Sequence, residues 1–243
     1  MQSRKFKWAI IICAIAFVTM LILFSPIFYL DELTITGGNT VSDAEIRERL
    51  GVGSTTNLLF FNQTAARRSL MENLYIAEVA FTRGLPNRLY VQVWERRIAA
   101  YIQQSPGTFL FIDDQGRVLE IRSSISHTLP IIEGLNFTHF ALGEMLDVPD
   151  TTAFNIVTQY SQLIYRHGLA CRVTHINVSD TVNTRILFGD VEFNVGGLQD
   201  SEDKVRIIAG ILAEMPEAGQ IRGFVDLRDI NVERDEFFFV PLT

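Results

Sequence analysis

The hydrophobic pattern of this chain begins with a stretch that has no polar face at all. From Trp8 to Phe24 every residue is apolar or small, with Thr19 the single hydroxyl and no charge. A helix with no polar stripe belongs in lipid or deep in a core rather than on a soluble surface. At about 1.5 Å per residue the run covers roughly 25 Å, and its continuation to Leu30 exceeds the ~30 Å hydrocarbon core of a bilayer. It is longer than the roughly 7–15 apolar residues of a signal peptide, and Phe24-Ser25-Pro26-Ile27-Phe28 offers no small-x-small cleavage site. The expectation is a retained anchor over residues 8–30 behind a short stub, residues 1–7.

Beyond the anchor the periodicity changes to that of a folded domain. Leu33-Thr34-Ile35-Thr36 alternates as a strand and Gly37-Gly38-Asn39 turns the chain. Ser42 with Glu45 three residues later predicts a capping box, and Val41 with Ile46 a hydrophobic staple. Ile46 and Leu50 share one helix face, and Gly51 stops that helix. A second helix is predicted from Asn62 through Ala66 and Leu70. Tyr75–Arg83 and Arg88–Glu95 then read as strands about Gly84-Leu85-Pro86-Asn87, with Leu89, Val91 and Val93 alternating against Tyr90, Gln92 and Trp94. Residues 31–97 thus order as β-α-α-β-β.

A second region, residues 98–243, follows. Thr108–Ile112 and Arg117–Ile121 flank the turn Asp113-Asp114-Gln115-Gly116. Leu129-Pro130-Ile131-Ile132 reads as an edge segment, because proline donates nothing to a ladder. Thr151–His167 is an amphipathic helix with its apolar stripe at Ala153, Ile156, Val157, Tyr160, Leu163 and Ile164. Arg172–Val178, Thr184–Phe188 and Val191–Val195 are predicted strands. A helix opens near Asp200 with Val205, Ile208, Ala209 and Leu212 buried, and Pro216 ends it. Phe224–Arg228 and Glu236–Leu242 close the pattern as strands. The class is α+β, with a mostly antiparallel sheet and helices in the larger domain.

Charge narrows the function. Three of the 21 Lys and Arg residues (Arg4, Lys5 and Lys7) precede the anchor, leaving 18 against 28 Asp and Glu in residues 31–243, a formal −10. That balance argues against nucleic acid, whose phosphates require clustered cations. The basic stub before the span, with Asp31 and Glu32 after it, predicts an N-terminus held in the cytoplasm. Cys13 lies in the span and Cys171 far outside it, so they cannot pair, and both are expected as small apolar packers.

No catalytic or metal constellation emerges, and no cofactor is expected. His127, His139, His167 and His175 lack metal-ligand spacing, and nucleophile-elbow and phosphate-loop signatures do not occur. An envelope hydrolase with Asp226 or Asp113-Asp114 as paired carboxylates is the alternative. Arg67-Arg68 and Arg96-Arg97 are candidates for lipid headgroups or for solvated charge. The segment Glu236-Phe237-Phe238-Phe239-Val240-Pro241-Leu242 is apolar on both faces. It predicts either a strand buried on both sides or an edge completed by a partner's strand.

On these residues the chain resembles the FtsQ/DivIB family of bacterial cell-division proteins. Leu33-Thr34-Ile35-Thr36-Gly37-Gly38-Asn39 and Leu85-Pro86-Asn87-Arg88-Leu89-Tyr90-Val91-Gln92-Val93-Trp94-Glu95-Arg96 are similar to the opening and close of a POTRA domain. Phe111-Ile112-Asp113-Asp114-Gln115-Gly116-Arg117-Val118 is similar to the hairpin that starts the family's β domain. Phe224-Val225-Asp226-Leu227-Arg228 and Phe239-Val240-Pro241-Leu242 are similar to its terminal region. The resemblance implies a non-enzymatic scaffold of the division complex, the divisome, at the septum. It implies a single-pass protein of the cell membrane whose C-terminal part lies outside. The partners it implies are FtsB/DivIC-like and FtsL-like bitopic proteins, together with the septal transpeptidase and other divisome proteins, so that septal peptidoglycan synthesis is regulated. The docking edge it implies comprises Arg228, Phe237, Phe238, Phe239, Val240, Pro241 and Leu242, with a supporting helix at Val205, Ile208 and Leu212.

Overall fold

The computed structural model describes residues 2–125, 129–214, 222–229 and 239–241, the first four and last three of these by backbone alone. Contacts divide the chain at Arg96/Arg97 into two compact units.

The first unit begins with helix α1, Gln2–Leu23, whose described side chains are all exposed. Phe6–Leu23 is long and apolar enough to cross a membrane. The helix stops earlier than the expected limit at Leu30. Proline disfavours the helical region for the residue before it, and Ser25 is extended (φ −63°, ψ 139°) ahead of a 3-10 turn, Pro26–Phe28. Leu30 is instead buried in the core of the first unit.

Strands β1 (Glu32–Thr36), β2 (Ile76–Gly84) and β3 (Arg88–Glu95) form a three-stranded sheet in the order β1-β3-β2. β1 and β3 are parallel, and β2 and β3 antiparallel. Helices α2 (Asp43–Leu50) and α3 (Gln63–Met71) bury Ile46, Leu50, Ala66 and Leu70 in a core shared with Leu89, Val91 and Val93. The β-α-α-β-β order and the predicted alternation of β3 are therefore present. The capping box forms by half. Ser42 Oγ accepts from Glu45 N at 3.2 Å, while the Glu45 carboxylate is taken by Asn73 Nδ2 at 2.7 Å and Arg49 Nε at 2.9 Å.

The second unit is a nine-stranded sheet. Its strands are β4 (Ala100–Ser105), β5 (Thr108–Ile112), β6 (Val118–Arg122), β7 (Ile131–Glu133), β8 (Val173–Asn177), β9 (Arg185–Phe188), β10 (Val191–Asn194), β11 (Gly223–Asp226) and β12 (Phe239–Pro241). Their spatial order is β12-β11-β10-β9-β8-β7-β4-β5-β6. Five neighbouring pairs are antiparallel, and the pairs β4–β7, β7–β8 and β10–β11 are parallel. Helices α4 (Thr151–Arg166) and α5 (Ser201–Glu214) bury their apolar stripes against one core that includes Ile102, Leu110, Ile176, Ile186, Phe193 and Val225.

Two expectations change here. The edge position read for 129–132 is wrong, because β7 lies mid-sheet between β4 and β8. Pro130 falls just before the strand, where its carbonyl accepts from Tyr101 N at 3.0 Å and its missing donor costs no ladder bond. Cys13 and Cys171 are exposed rather than packed.

Glu95 and Arg96 close β3 for a reason the structure makes concrete. Glu95 Oε2 and Oε1 accept from Thr40 N and Val41 N, each at 2.8 Å, fastening the loop that leads into α2. Arg96 donates to the carbonyls of Leu74 and Ile76 and so fastens the start of β2. Desolvation alone would raise the Glu95 carboxyl, but its hydrogen bonds to the backbone at Val41, Thr40 and Asn39 outweigh burial and hold it below the usual glutamate value. A carboxylate depressed in the folded state stabilises fully above its unfolded pKa of about 4.3 and ceases to do so as pH falls through its folded value. Glu95→Gln keeps one acceptor and loses the charge. It should lower the stability of the first unit by about 1–3 kcal/mol at neutral pH and flatten the decline below about pH 4.3, measured by urea unfolding at several pH values.

Candidate functional site

The C-terminal end of the large sheet is built by a β-α-β crossover. β9 turns into β10 at Gly189-Asp190, where Gly189 adopts φ 60°, and the two pair antiparallel with Val191 opposite Phe188. A parallel neighbour cannot follow by a tight turn, so the chain crosses over through α5 and returns as β11. Val191 then faces Gly223, and Phe193 faces Val225. Leu227 N donates to Asn194 O at 2.8 Å and carries the pairing one residue past β11.

β12 adds the last strand. It pairs antiparallel with β11, with Gly223 opposite Pro241, Phe224 opposite Val240 and Val225 opposite Phe239. In the sheet order β11 is its only neighbour, so among the described residues β12 is the edge strand. Of the residues expected at this edge, Phe239, Val240 and Pro241 are in the strand, whereas Phe237, Phe238 and Leu242 lie outside the described residues.

The helix expected beside the edge supports it from within. Val205, Ile208 and Leu212 are buried in the same cluster as Phe193, Val225 and Leu227. They pack within the core beneath the sheet and offer no surface of their own. Lys204, beside this stripe, was not singled out from the sequence, yet it is also fully buried and its Nζ donates to Val195 O at 2.8 Å. Burial depresses its pKa, against the opposing pull of Asp200, Asp229 and Asp226. The signal was available in the spacing, since 201, 204, 208 and 212 fall on one helical face.

Arg228 is exposed but already engaged. Its Nε lies 3.0 and 3.1 Å from the two carboxylate oxygens of Asp226, and its Nη1 donates to Asn183 Oδ1 at 2.7 Å. Asn183 in turn donates to Asp180 Oδ2 at 2.7 Å, and Asp180 Oδ1 accepts from Val182 N at 3.0 Å. This chain of bonds ties the end of β11 to the loop between β8 and β9. Asn183 and Asp180 escaped the sequence reading, because a contact that spans 45 residues leaves no local pattern.

Two of the three carboxylates considered for hydrolysis, Asp226 and Asp113, have structural tasks. Asp226 is held below the usual aspartate value, chiefly by its bond to Arg228, which is the reverse of what a general acid needs. Asp113 is buried, and its Oδ1 accepts from Gln115 N at 2.9 Å and Arg117 N at 2.8 Å to shape the β5–β6 turn. The exposed Asp114 is pushed up by desolvation from its dense surroundings and then by the charge of Asp113. His167 caps α4 and lies 3.1 Å from Glu202.

The fold is that of a protein with an N-terminal helix long and apolar enough to cross a membrane, a POTRA module and a sheet-rich domain in which β12 is the edge strand among the described residues. Known proteins agree with that class. Residues 28–96 match the family described as POTRA domain, FtsQ-type. The chain is 24% identical over 243 residues to the cell division protein DivIB of Clostridium botulinum (strain Hall), covering 98% of this chain and 93% of the relative. It is 28% identical over 120 residues to DivIB of Staphylococcus aureus (strain NCTC 8325), covering 49% of this chain and 27% of that protein. It is 31% identical over 148 residues to the cell division protein FtsQ of Rickettsia bellii, covering 60% of this chain and 51% of that protein. The chain is thus similar to the FtsQ/DivIB cell division proteins, and its residues 28–96 form an FtsQ-type POTRA domain.

The Arg228 pair supplies a direct check on the edge's anchoring. Arg228→Ala should raise the Asp226 carboxyl toward its ordinary value near 3.9, seen by carboxyl-carbon NMR titration. Because both groups of the pair are exposed and screened by solvent, the change in stability should be small.

Proposed function

We propose that this protein is a non-catalytic scaffold of the division complex that captures a bitopic partner by strand addition at β12. In this reading the N-terminus stays in the cytoplasm and everything after α1 lies beyond the membrane, at the septum, with residues 31–97 and 98–243 as two domains. The basic stub and the acidic residues that follow the span support that orientation. The partners are FtsB/DivIC-like and FtsL-like proteins, and through them the scaffold regulates septal peptidoglycan synthesis by the transpeptidase they accompany.

The observation that carries this reading is the position of β12, which among the described residues ends a nine-stranded sheet with β11 alone beside it. An edge strand presents a row of main-chain donors and acceptors, and proteins that leave one uncovered commonly use it to bind an extended segment. Main-chain bonds supply the affinity, and the residues from Phe237 to Leu242 supply apolar contact on alternating sides. The family's role in cell division fits a protein that assembles others. Arg228, tied to Asp226 and Asn183, keeps the neighbouring strand in place for docking.

The test is binding of a synthetic segment from the extracytoplasmic part of the FtsB/DivIC-like partner to the full-length protein in detergent. Phe239→Asp, and separately a deletion from Phe237, should weaken binding at least about thirtyfold, the loss of roughly 2 kcal/mol expected of a central anchor. Circular dichroism and thermal unfolding of the first unit should not change. Undiminished affinity in both variants rules out the edge as the docking site.

A further inference from the structure

The apolar window of α1 ends at Leu23, and at about 1.5 Å per residue its 18 residues cover roughly 27 Å, close to the ~30 Å of a bilayer core. The span has almost no length to spare, so the residues after Leu23 emerge at the membrane boundary. They emerge directly into a folded unit. Asn57, from the loop between α2 and α3, donates its Nδ2 to Leu23 O at 2.8 Å and so caps the last turn of the membrane helix. Leu59 N holds Asn57 Oδ1 at 2.9 Å. Leu58 N donates to Phe28 O, and Leu30 N donates to Thr56 O, both at 2.9 Å. No free linker separates the span from the module.

The surface at this joint is apolar and uncharged. Phe24 and Ile27 are 58% and 59% exposed, and Phe60, at the tip of the α2–α3 loop, is 55% exposed. The Phe24 and Phe60 rings lie 5.2 Å apart, which sets Phe60 at the depth where the span ends. Neither 24–30 nor 51–61 contains a charged residue. A phenylalanine from a loop 36 positions away, held beside the end of a membrane helix, meets the apolar edge of the headgroup region, where aromatic rings are favourably placed.

We propose that the POTRA module rests on the bilayer surface from which α1 emerges, with Phe60, Phe24 and Ile27 inserted at the lipid boundary. The partner here is the lipid of the leaflet itself, chosen because the patch continues the membrane span and is fastened to it by the Asn57 cap. Docking in this way holds the module at a fixed height above the membrane instead of letting it swing. It is independent of which side of the membrane the module occupies and of what binds β12, and it rests only on α1 being a membrane span.

The experiment uses the full-length protein in phosphatidylcholine nanodiscs, with Cys13→Ala and Cys171→Ser removing the native thiols. A nitroxide is carried in turn at Phe60→Cys and Ile27→Cys, with Ile15→Cys in the span as the lipid reference. Glu78→Cys, exposed at the far end of β2, is the aqueous reference. Power saturation compares collisions with oxygen, enriched in lipid, against a water-soluble nickel chelate. The label at 60 replaces one apolar ring by another, and the label at 27 leaves Phe60 in place. Both positions should shift from the value at 78 toward the value at 15, and Asn57→Ala should move position 60 back toward the aqueous value. An aqueous reading at 60 or 27 while 15 remains in lipid overturns the docking and leaves the β12 reading untouched. An aqueous reading at 15 as well overturns the anchor on which the docking rests.

Discussion

A β-sheet that does not close must end, and the main-chain groups on its last strand must find partners in water or in another chain. That requirement governs the C-terminal half of this protein. The sheet grows outward from strands packed beneath α4 and α5 to β12, which reaches only three described residues and rests on β11 alone. Among the described residues, the contacts near this end secure β11. The α5 crossover fixes the parallel register with β10, Lys204 fastens the start of α5 to Val195, and Arg228 ties the strand's end to the β8–β9 loop. A firm penultimate strand suits the strand addition proposed for β12, because an incoming segment is ordered only as well as its template.

The buried lysine sharpens this view. A cation in an apolar surround is costly, and here it is tolerated because a carbonyl accepts from it and Asp200, Asp226 and Asp229 supply opposing charge. Asp226 therefore serves two cations, Arg228 by contact and Lys204 at longer range. The carboxylate most open to a catalytic reading is the electrostatic hub that couples α5 to β11. Its pKa is depressed chiefly by the bond to Arg228, with Lys204 a lesser contribution.

Local signals carried most of the fold into the sequence. The alternation of Leu89, Val91 and Val93, the cap at Ser42 and the stripe of α4 are set by neighbours within a few residues, and each element stands where its pattern put it. What failed was spatial order. Pro130 suggested an edge because proline lacks a donor, but nothing near Pro130 states that β4 and β8, far apart in the chain, close on both sides of the strand that follows. β4 itself escaped notice because its exposed half, Gln103 to Ser105, dilutes the apolar run of Ala100 to Ile102. The end of α1 was read too late for a similar reason. Phe28 and Leu30 are apolar enough for lipid, yet Leu30 belongs to the core of the folded unit, and composition alone cannot separate those destinations. At the candidate site the apolar terminal segment was legible as an anomaly, whereas the Arg228–Asn183–Asp180 chain was not, since it depends on loops brought together by the sheet.

The two ends of the folded part answer one problem in different solvents. At the N-terminal end, the last carbonyls of α1 face a boundary where water becomes scarce, and Asn57 satisfies one of them from within the protein. At the C-terminal end, β12 has β11 as its one neighbour among the described residues, and main-chain groups at a sheet edge in water are solvated at little cost. A scaffold benefits from this asymmetry. In the proposed reading, the Asn57 cap limits the freedom of the first unit at the end of α1, and an edge at β12 would keep main-chain groups in reserve for assembly. The same backbone chemistry, satisfied internally in one unit and deferred in the other, would then serve both anchoring and binding.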